Sequence, residues 1–281
     1  MQKIEMESFG KINLALDVLY KRQDNYHEIN TIMQQISLRD RLTFIDEEEE
    51  FIIESDNKEM PLNSTNLVYQ AWETMKSISG INRGLRVIIE KNIPIAAGLA
   101  GGSSNCAATL QAINQLWNLK LSQEELMTIG KSLGADIPFC ILGGTAQAKG
   151  IGEKLKPLKP FKDKLILLAN PGFGISTEYA YSKLNLNGNP YDIDSIIRAI
   201  EEDDIYQLVA KLKNRLEEEI IKEYPIIDEI KNTMIQHGAL GSLMSGSGPT
   251  VFGIFDDQEK LQTAKAILSE KVEKVYACTT V

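Results

Sequence analysis

The chain has few of the residues that build metal sites and disulfide frameworks. Its 281 residues include three cysteines and two histidines. Cys106, Cys140 and Cys278 have no metal-ligand spacing and cannot all pair with one another, a pattern typical of a reducing compartment. We therefore expect a cytoplasmic protein. The absence of a His/Cys cluster disfavours a zinc site, so no metal site built from protein side chains is predicted, and any metal is expected to be a hard cation brought with phosphates.

Long apolar runs and basic clusters are also missing. No stretch approaches the roughly 18 apolar residues that a membrane span needs, and the first residues form no apolar leader. The formal net charge is −9, and no stripe of clustered Lys and Arg appears in the sequence. We expect neither a membrane nor a nucleic-acid partner, because phosphate backbones are bound by clustered positive charge. An anionic ligand must then be met by helix N-termini or single lysines.

A loop of small residues at positions 94–102 runs directly into a predicted helix. Gly98, Gly101 and Gly102 allow close backbone approach, and Ser103 and Ser104 are predicted to cap the helix. The apolar stripe of that helix consists of Cys106, Leu110, Ile113 and Trp117. Free N–H groups at such a helix start attract anions, so the loop is a candidate phosphate site. The alternative is a glycine-rich turn before an ordinary helix.

Apolar periodicity divides the chain into strands and helices. Strands are predicted at 10–18, 28–37, 41–46 and 85–90, with a helix at 66–79. After the loop come two helices, the second capped by Ser122 and Glu125, and a break at 134–138. Strands are predicted at 145–149 and 164–168, on either side of a junction at 155–161. Beyond them, helices alternate with a strand pair around a glycine turn at 243–255 and a strand at 274–280. We predict an α+β protein with domains 1–158 and 159–281. The acidic run 46–50 is interpreted as a solvated turn.

Three separate motifs resemble the galactokinase, homoserine kinase, mevalonate kinase and phosphomevalonate kinase (GHMP) superfamily. They lie at 9–16, at 94–110 and at 244–252. The resemblance implies a two-domain α+β fold, with an N-terminal domain like domain 2 of ribosomal protein S5 and a C-terminal ferredoxin-like sandwich. It also implies that the second motif surrounds nucleotide phosphates and that the third packs beside it. Taken alone, the third motif reads as a plain β-hairpin.

Two further segments, 25–29 and 133–139, resemble the superfamily branch that phosphorylates a cytidyl diphosphate alcohol in the non-mevalonate isoprenoid route. This likeness implies ATP-dependent phosphorylation of the C2 hydroxyl of diphosphocytidyl-methylerythritol. Asn25 stands where that branch has glycine, and Asn tolerates a left-handed backbone. Ala97 and Ala100 also replace glycines, so a negative φ is predicted for both. The alternatives are a sister kinase for mevalonate, homoserine or a sugar, a non-catalytic ligand sensor, and an RNA-binding relative.

The resemblance assigns catalytic roles to Asp136 and Lys11. Asp136 would accept the alcohol proton, and Lys11 would pair with that carboxylate. Asn13 lies two residues along the same predicted strand, so it shares a face with Lys11 and would bind the polyol. Read without the family, Asp136 is a turn former beside a proline and Lys11 is a solvated lysine.

The remaining ligand contacts are implied in the same way. Tyr26 and His27 would bind the cytosine ring, with Tyr181 as a second aromatic and Tyr179 as its competitor; Thr177 would approach the reacting centre. The residues implied to bind ATP are Asn66, Lys91, Pro94, Gly98, Leu99, Ala100, Gly101, Gly102, Ser103 and Ser104. Asn66 could instead be a helix cap and Lys91 a surface residue. Magnesium is expected on ATP oxygens and water, with Ser104 as a candidate ligand. We expect a monomer or weak homodimer.

Overall fold

Two long strands, β1 (Lys3–Lys21) and β2 (His27–Glu47), each begin in one compact unit of the fold and end in the other. The computed structural model describes residues 2–186 and 188–281. The first unit comprises Met1–Gly10, Leu38–Ile95 and Ala100–Gly143, and the second comprises Lys11–Ser37, Ala96–Leu99 and Gly144–Val281. The predicted domain boundary at 158 stays a prediction, because packing units need not be continuous in sequence.

The first unit pairs the end of β2 with two short strands and covers them with helices. In chain order its further elements are β3 (Phe51–Ser55), α1 (Leu67–Ser79), β4 (Gly84–Glu90), α2 (Gly101–Leu116), α3 (Gln123–Leu133) and α4 (Ile137–Leu142). Strand β4 runs antiparallel to β2, with Val87 opposite Phe44, and parallel to β3. The core includes all four residues of the stripe predicted for α2.

Local capping explains where these helices begin and end. Asn66 accepts a hydrogen bond from the Val68 N–H at the start of α1, and Gly80 closes that helix in the left-handed region at φ 68°. The predicted capping box of Ser122 and Glu125 opens α3. Both helix starts are therefore determined by their own sequence.

The second unit contains a hairpin, a separate antiparallel sheet and several helices. In chain order its elements after β2 are β5 (Thr145–Gly150), β6 (Lys154–Pro157), β7 (Leu165–Asn170), α5 (Thr177–Ser182), α6 (Ile193–Glu201), α7 (Ile205–Val209), β8 (Lys213–Asn214), α8 (Glu217–Glu223), α9 (Ile226–Gln236), β9 (Gly241–Met244), β10 (Val251–Phe255), α10 (Gln258–Ser269) and β11 (Lys274–Thr279). The sheet has the order β11-β7-β10-β9. Strand β5 pairs with β2, and β8 runs parallel to β1.

Several boundaries differ from the sequence prediction. The strands predicted at 28–37 and 41–46 form the single strand β2, because no glycine or proline interrupts the chain between them. The short elements β3, β6, α4 and α5 were not predicted, since four to six residues show too little periodicity. None of the helices in the described ranges is both long and apolar enough to cross a membrane.

Candidate active site

The glycine loop turns into α2 by a left-handed residue. Ala100 precedes the helix with φ 55°, and no side chain caps it. The predicted caps Ser103 and Ser104 are therefore wrong, because the turn at Ala100 starts the helix at Gly101 and places both serines in the first turn. The negative φ predicted for Ala100 is also wrong. Since no side chain occupies the first-turn N–H groups, they remain available to an anion.

Ser104 is buried and hydrogen-bonded within the first unit. Its hydroxyl donates to the Phe9 carbonyl at 2.7 Å and accepts from Ser8 Oγ at 2.8 Å. Ser8 lies in β1, and nothing in its sequence context predicted a partner in α2. These bonds fix the first turn of α2 against β1, so this end of the loop has a rigid support.

Lys91 lies beneath the start of α2. Its Nζ donates to Asp40 Oδ2 at 2.6 Å and to the Ile93 carbonyl at 2.7 Å. A Cβ on Gly101 would come within 2.9 Å of that Nζ, so only glycine allows this approach. Burial lowers the pKa of Lys91, against the opposing effect of the Asp40 carboxylate. The alternative that Lys91 is a surface residue is wrong, because its side chain is 3% exposed; its role near adenine stays a prediction.

Removing Asp40 should destabilise the first unit strongly. Its carboxylate also accepts hydrogen bonds from the N–H groups of Asn92 and Ile93, both at 2.7 Å. In Asp40→Ala the Lys91 charge loses its partner while buried, which costs about 3 to 5 kcal/mol of unfolding free energy. Urea unfolding measures the loss. Glu54→Ala, which breaks an exposed pair with Arg86, should cost less than about 1 kcal/mol; equal losses would contradict this assignment.

Asn66 makes the contacts of a helix cap. Besides accepting from the Val68 N–H at 2.9 Å, its side chain donates to the Pro61 carbonyl at 2.7 Å. These bonds hold the segment before α1. The cap alternative is thus observed, while the contact with adenine stays a prediction.

In the second unit the three motifs meet at the carbonyl of Gly98. Lys11 Nζ donates to that oxygen at 3.2 Å, and Ser245 Oγ donates to it at 3.0 Å. The backbone N–H of Lys11 donates to the Leu99 carbonyl at 3.0 Å. Strand β1, residues 96–99 of the loop and the turn before β10 therefore form one hydrogen-bonded cluster.

Asn13 extends this cluster into a buried chain of hydrogen bonds. Lys11 Nζ donates to Asn13 Oδ1 at 2.7 Å, so the two side chains share a strand face as predicted. Asn13 Nδ2 donates to Thr31 Oγ1 at 2.8 Å, and Thr31 donates to the Ala15 carbonyl at 2.5 Å. The exposed fractions of Lys11 and Asn13 are 5% and 1%. Thr31 was not singled out from the sequence, since a Thr in a strand usually serves the sheet alone.

The glycine turn between β9 and β10 is held by side chains that sequence reasoning missed. Asn214 Nδ2 donates to the carbonyls of Met244 and Gly246, each at 2.8 Å, and Glu217 accepts from the Met244 N–H at 2.6 Å. A Cβ on Gly246 would lie 3.2 Å from Lys11 Nζ. The third motif is therefore more than a plain hairpin. Asn214 and Glu217 carry no local sequence pattern that indicates this contact.

The residues predicted to bind the base are arranged at the start of β2 and on α5. Tyr26 has a side chain 59% exposed, and Asn25 before it has φ 67°, the left-handed backbone predicted for it. The rings of His27 and Tyr181 have centroids 5.0 Å apart and are tilted by 34°. The hydroxyl of Tyr179 donates instead to Glu223. This geometry favours Tyr181 over Tyr179 as the partner of His27.

Thr177 opens α5 in the same unit. Its Oγ1 lies 3.4 Å from Ser247 Oγ, so it contacts the glycine turn of the third motif. Ser176 caps α5 by accepting from the Tyr179 N–H. The cap fixes the first turn of α5, which carries Thr177, and Tyr181 follows in the next turn.

His27 should take up its proton at a lower pH than an ordinary histidine does. Burial, and next the nearby charge of Lys21, lower its pKa below the ordinary value of 6.5. As pH falls below 6.5, the unfolded chain binds a proton before the folded one does, so stability decreases until the folded pKa is passed. The Cε1–H resonance, assigned with His27→Gln, should titrate below pH 6.5. A midpoint at or above that value would contradict the prediction.

Asp136 lies in the first unit, at the predicted break between two helices. Helix α3 ends at Leu133 and α4 begins at Ile137, with Asp136 as the preceding residue at φ −83° and ψ −13°. Its carbonyl accepts from the Cys140 N–H at 3.0 Å, while its half-buried carboxylate makes no cap bond to α4. Lys11 belongs to the second unit. Their ion pair stays a prediction.

Known proteins similar to this chain span its full length. Family models match as GHMP kinases N terminal domain at residues 66–144 and GHMP kinases C terminal at 196–274. The 4-diphosphocytidyl-2-C-methyl-D-erythritol kinase of Alkaliphilus metalliredigens (strain QYMF) is 44% identical over 96% of this chain and 94% of the relative. A crystal structure of 4-(cytidine 5'-diphospho)-2C-methyl-D-erythritol kinase has TM-score 0.84 and 30% identity, covering 99% of both chains.

A more distant structure shares the fold alone. Homoserine kinase from Cytophaga hutchinsonii ATCC 33406 has TM-score 0.78 at 16% identity, covering 98% of this chain and 95% of that one. Together these matches confirm the predicted α+β fold class.

Proposed function

Because this chain belongs to the 4-diphosphocytidyl-2-C-methyl-D-erythritol kinase family of the GHMP kinases, we propose that it phosphorylates the C2 hydroxyl of that cytidyl alcohol. Family membership makes it an ATP-dependent small-molecule kinase of isoprenoid precursor synthesis. The identity of the alcohol and the residues that act on it are the proposal. The observation that carries it is the cluster in which Lys11 and Asn13 meet the glycine loop at Gly98.

In the proposed reaction the alcohol oxygen attacks the γ-phosphorus of ATP, and the bond from that phosphorus to the bridging oxygen of ADP breaks. The hydroxyl proton passes to the Asp136 carboxylate. Phosphoryl transfer needs alignment and charge neutralisation more than covalent help. Lys11 supports both needs, since its ammonium is held in place by Asn13 Oδ1 and the Gly98 carbonyl.

The phosphates of ATP would lie at the start of α2. The uncapped N–H groups of its first turn and the helix dipole attract anions there. Leu99 and Ala100 bring the backbone to this point, while Pro94 stiffens the approach. The buried Lys91 and Ser104 support the turn from within.

Magnesium would accompany ATP in this proposal. Within residues 2–186 and 188–281 no group of three or more His, Cys, Asp or Glu side chains could hold a metal ion. Phosphate oxygens and water would therefore supply most ligands. When bound, the ion neutralises phosphate charge. Ser104 Oγ donates to the Phe9 carbonyl and accepts from Ser8, which leaves one lone pair for the ion.

The cytosine ring would be recognised by Tyr26, His27 and Tyr181. The exposed Tyr26 ring offers a stacking face, and the imidazole of His27 in its neutral form offers one donor and one acceptor. The His27 ring packs against Tyr181, and this contact limits the orientation of the imidazole. Asn13 would bind the polyol end, and Thr177 would approach the phosphoryl group from α5.

A substrate panel tests the proposal. ADP release is measured with the cytidyl alcohol, mevalonate, homoserine and a hexose, each with ATP and magnesium. We expect kcat/KM for the cytidyl alcohol to exceed the others by at least about 10³-fold, because only it engages the base-binding residues. Turnover of a sister alcohol without the cytidyl substrate would overturn the choice of acceptor. Binding of the cytidyl alcohol without turnover would favour a ligand sensor.

A further inference from the structure

Thr31 lies at the inner end of the hydrogen-bond chain that holds Lys11. It is fully buried in β2, opposite Ala148 of β5, and its backbone belongs to that strand pair. The strand pairing is made by its backbone, so its hydroxyl is available for other contacts. It connects Asn13 Nδ2 to the Ala15 carbonyl.

The direction of each hydrogen bond in this chain is determined. A threonine hydroxyl has one hydrogen, and Thr31 gives it to the Ala15 carbonyl at 2.5 Å. The Thr31 oxygen can then only accept, so Asn13 must present its NH2 group to it. That orientation turns Asn13 Oδ1 toward Lys11, whose ammonium has donors alone.

We infer that Thr31 is a positioning residue, which acts through Asn13 to hold the Lys11 ammonium at the glycine loop. The inference rests on the proposed function for the role of Lys11, and on the observed hydrogen bonds for everything else. The glycine turn also packs closely against the pair, since a Cβ added at Gly246 would lie 3.3 Å from Asn13 Oδ1 and 3.2 Å from Lys11 Nζ. The amide is thus held by Thr31 at its NH2 end and by Lys11 at its oxygen, and losing the Thr31 bond leaves the NH2 end without its acceptor.

Thr31→Val and Thr31→Ser separate shape from hydrogen bonding. Valine keeps the branched shape and removes the hydroxyl, whereas serine keeps the hydroxyl. We expect kcat to fall about tenfold in Thr31→Val, with the KM for ATP within twofold, and to recover to within about threefold in Thr31→Ser. Equal loss in both variants would mean that packing, and not the hydroxyl, is responsible.

Thr145→Val is the matched control. Thr145 is 4% exposed in β5 and likewise donates one hydrogen bond, to Gln34, and accepts one, from the Phe161 N–H. We expect both valine variants to lower Tm by a similar amount, while only Thr31→Val lowers kcat. A comparable fall of kcat in Thr145→Val would assign the effect to general destabilisation and overturn the inference.

A double-mutant cycle with Asn13→Ala tests the route of the effect. If Thr31 acts through Asn13, then Thr31→Val should change kcat by less than twofold once Asn13 is alanine. A full tenfold loss in both backgrounds would overturn the inference. The cycle uses whichever alcohol of the substrate panel the wild-type chain phosphorylates, so failure of the cytidyl alcohol refutes the proposed acceptor and still leaves Thr31 tested.

Discussion

Asp136→Asn should lower kcat by about 10² to 10⁴-fold while leaving ATP affinity within about twofold. General-base catalysis contributes rate factors of that size, and an amide cannot take the alcohol proton. The substitution preserves shape, and the Asp136 carbonyl that accepts from the Cys140 N–H is unaffected. Single-turnover kinetics with the cytidyl alcohol measures the rate, and calorimetry with a non-hydrolysable ATP analogue measures the affinity.

Two further variants test whether the loss of rate comes from the Asp136 carboxylate itself. Asp136→Glu keeps the carboxylate but moves it by one methylene, so it should retain more activity than the amide. Asp228→Asn removes the same charge from the exposed face of α9 and should leave kcat unchanged. Activity within threefold of wild type in Asp136→Asn would refute the proposed role. A joint loss of rate and ATP affinity would assign Asp136 to the structure of the site.

Gly98→Ala should disrupt both the stability of the second unit and the site. The backbone of Gly98 has φ 75°, and an added Cβ would lie 2.1 Å from the Ser245 carbonyl oxygen. Left-handed strain and overpacking together cost about 2 to 5 kcal/mol. Any shift that relieves the overlap also moves the carbonyl that accepts from Lys11 and Ser245. We expect kcat/KM for ATP to fall at least about 10²-fold.

Gly80→Ala separates these two effects. Gly80 has φ 68°, and no atom lies within 4 Å of its added Cβ, so the variant carries the backbone strain alone. It should cost about 1 to 2 kcal/mol in urea unfolding and leave activity intact. If Gly98→Ala proves too unstable to assay, Gly246→Ala gives a milder version, with added contacts of 3.1 to 3.3 Å to Gly98, Lys11 and Asn13. Wild-type kinetics in Gly246→Ala would contradict the importance of this cluster.

The parts of the fold that the sequence predicted correctly depend on local or periodic patterns. The stripe of α2, the capping box of α3 and the left-handed Asn25 all follow from a few neighbouring residues. The predicted start of α2 was wrong. Serines are common helix caps, but here the turn at Ala100 begins the helix before Ser103 and Ser104. The backbone path of the loop, and not the capping propensity of the serines, therefore determines where α2 begins.

The supporting residues of the candidate site could not be predicted in this way. Asp40 is 51 residues from Lys91, and Asn214 is 30 residues from Met244, so no local spacing connects them. Each is a polar residue in an unremarkable context, and its role appears only when the fold brings a buried partner beside it. The contact between Lys11 and Asn13 could be predicted, because residues two apart in one strand lie on the same face.

The uncapped start of α2 has a consequence for how nucleotide binding would respond to acidity. Positions 94–104 contain no ionisable side chain, and the donors at the first turn of α2 are backbone amides. Amides do not titrate in water near neutrality, so the attraction of this loop for an anion stays constant where histidines and carboxylates change charge. A pH dependence of nucleotide binding would then originate outside this loop, in the ionisation of the nucleotide's own phosphates or in titratable side chains elsewhere in the site.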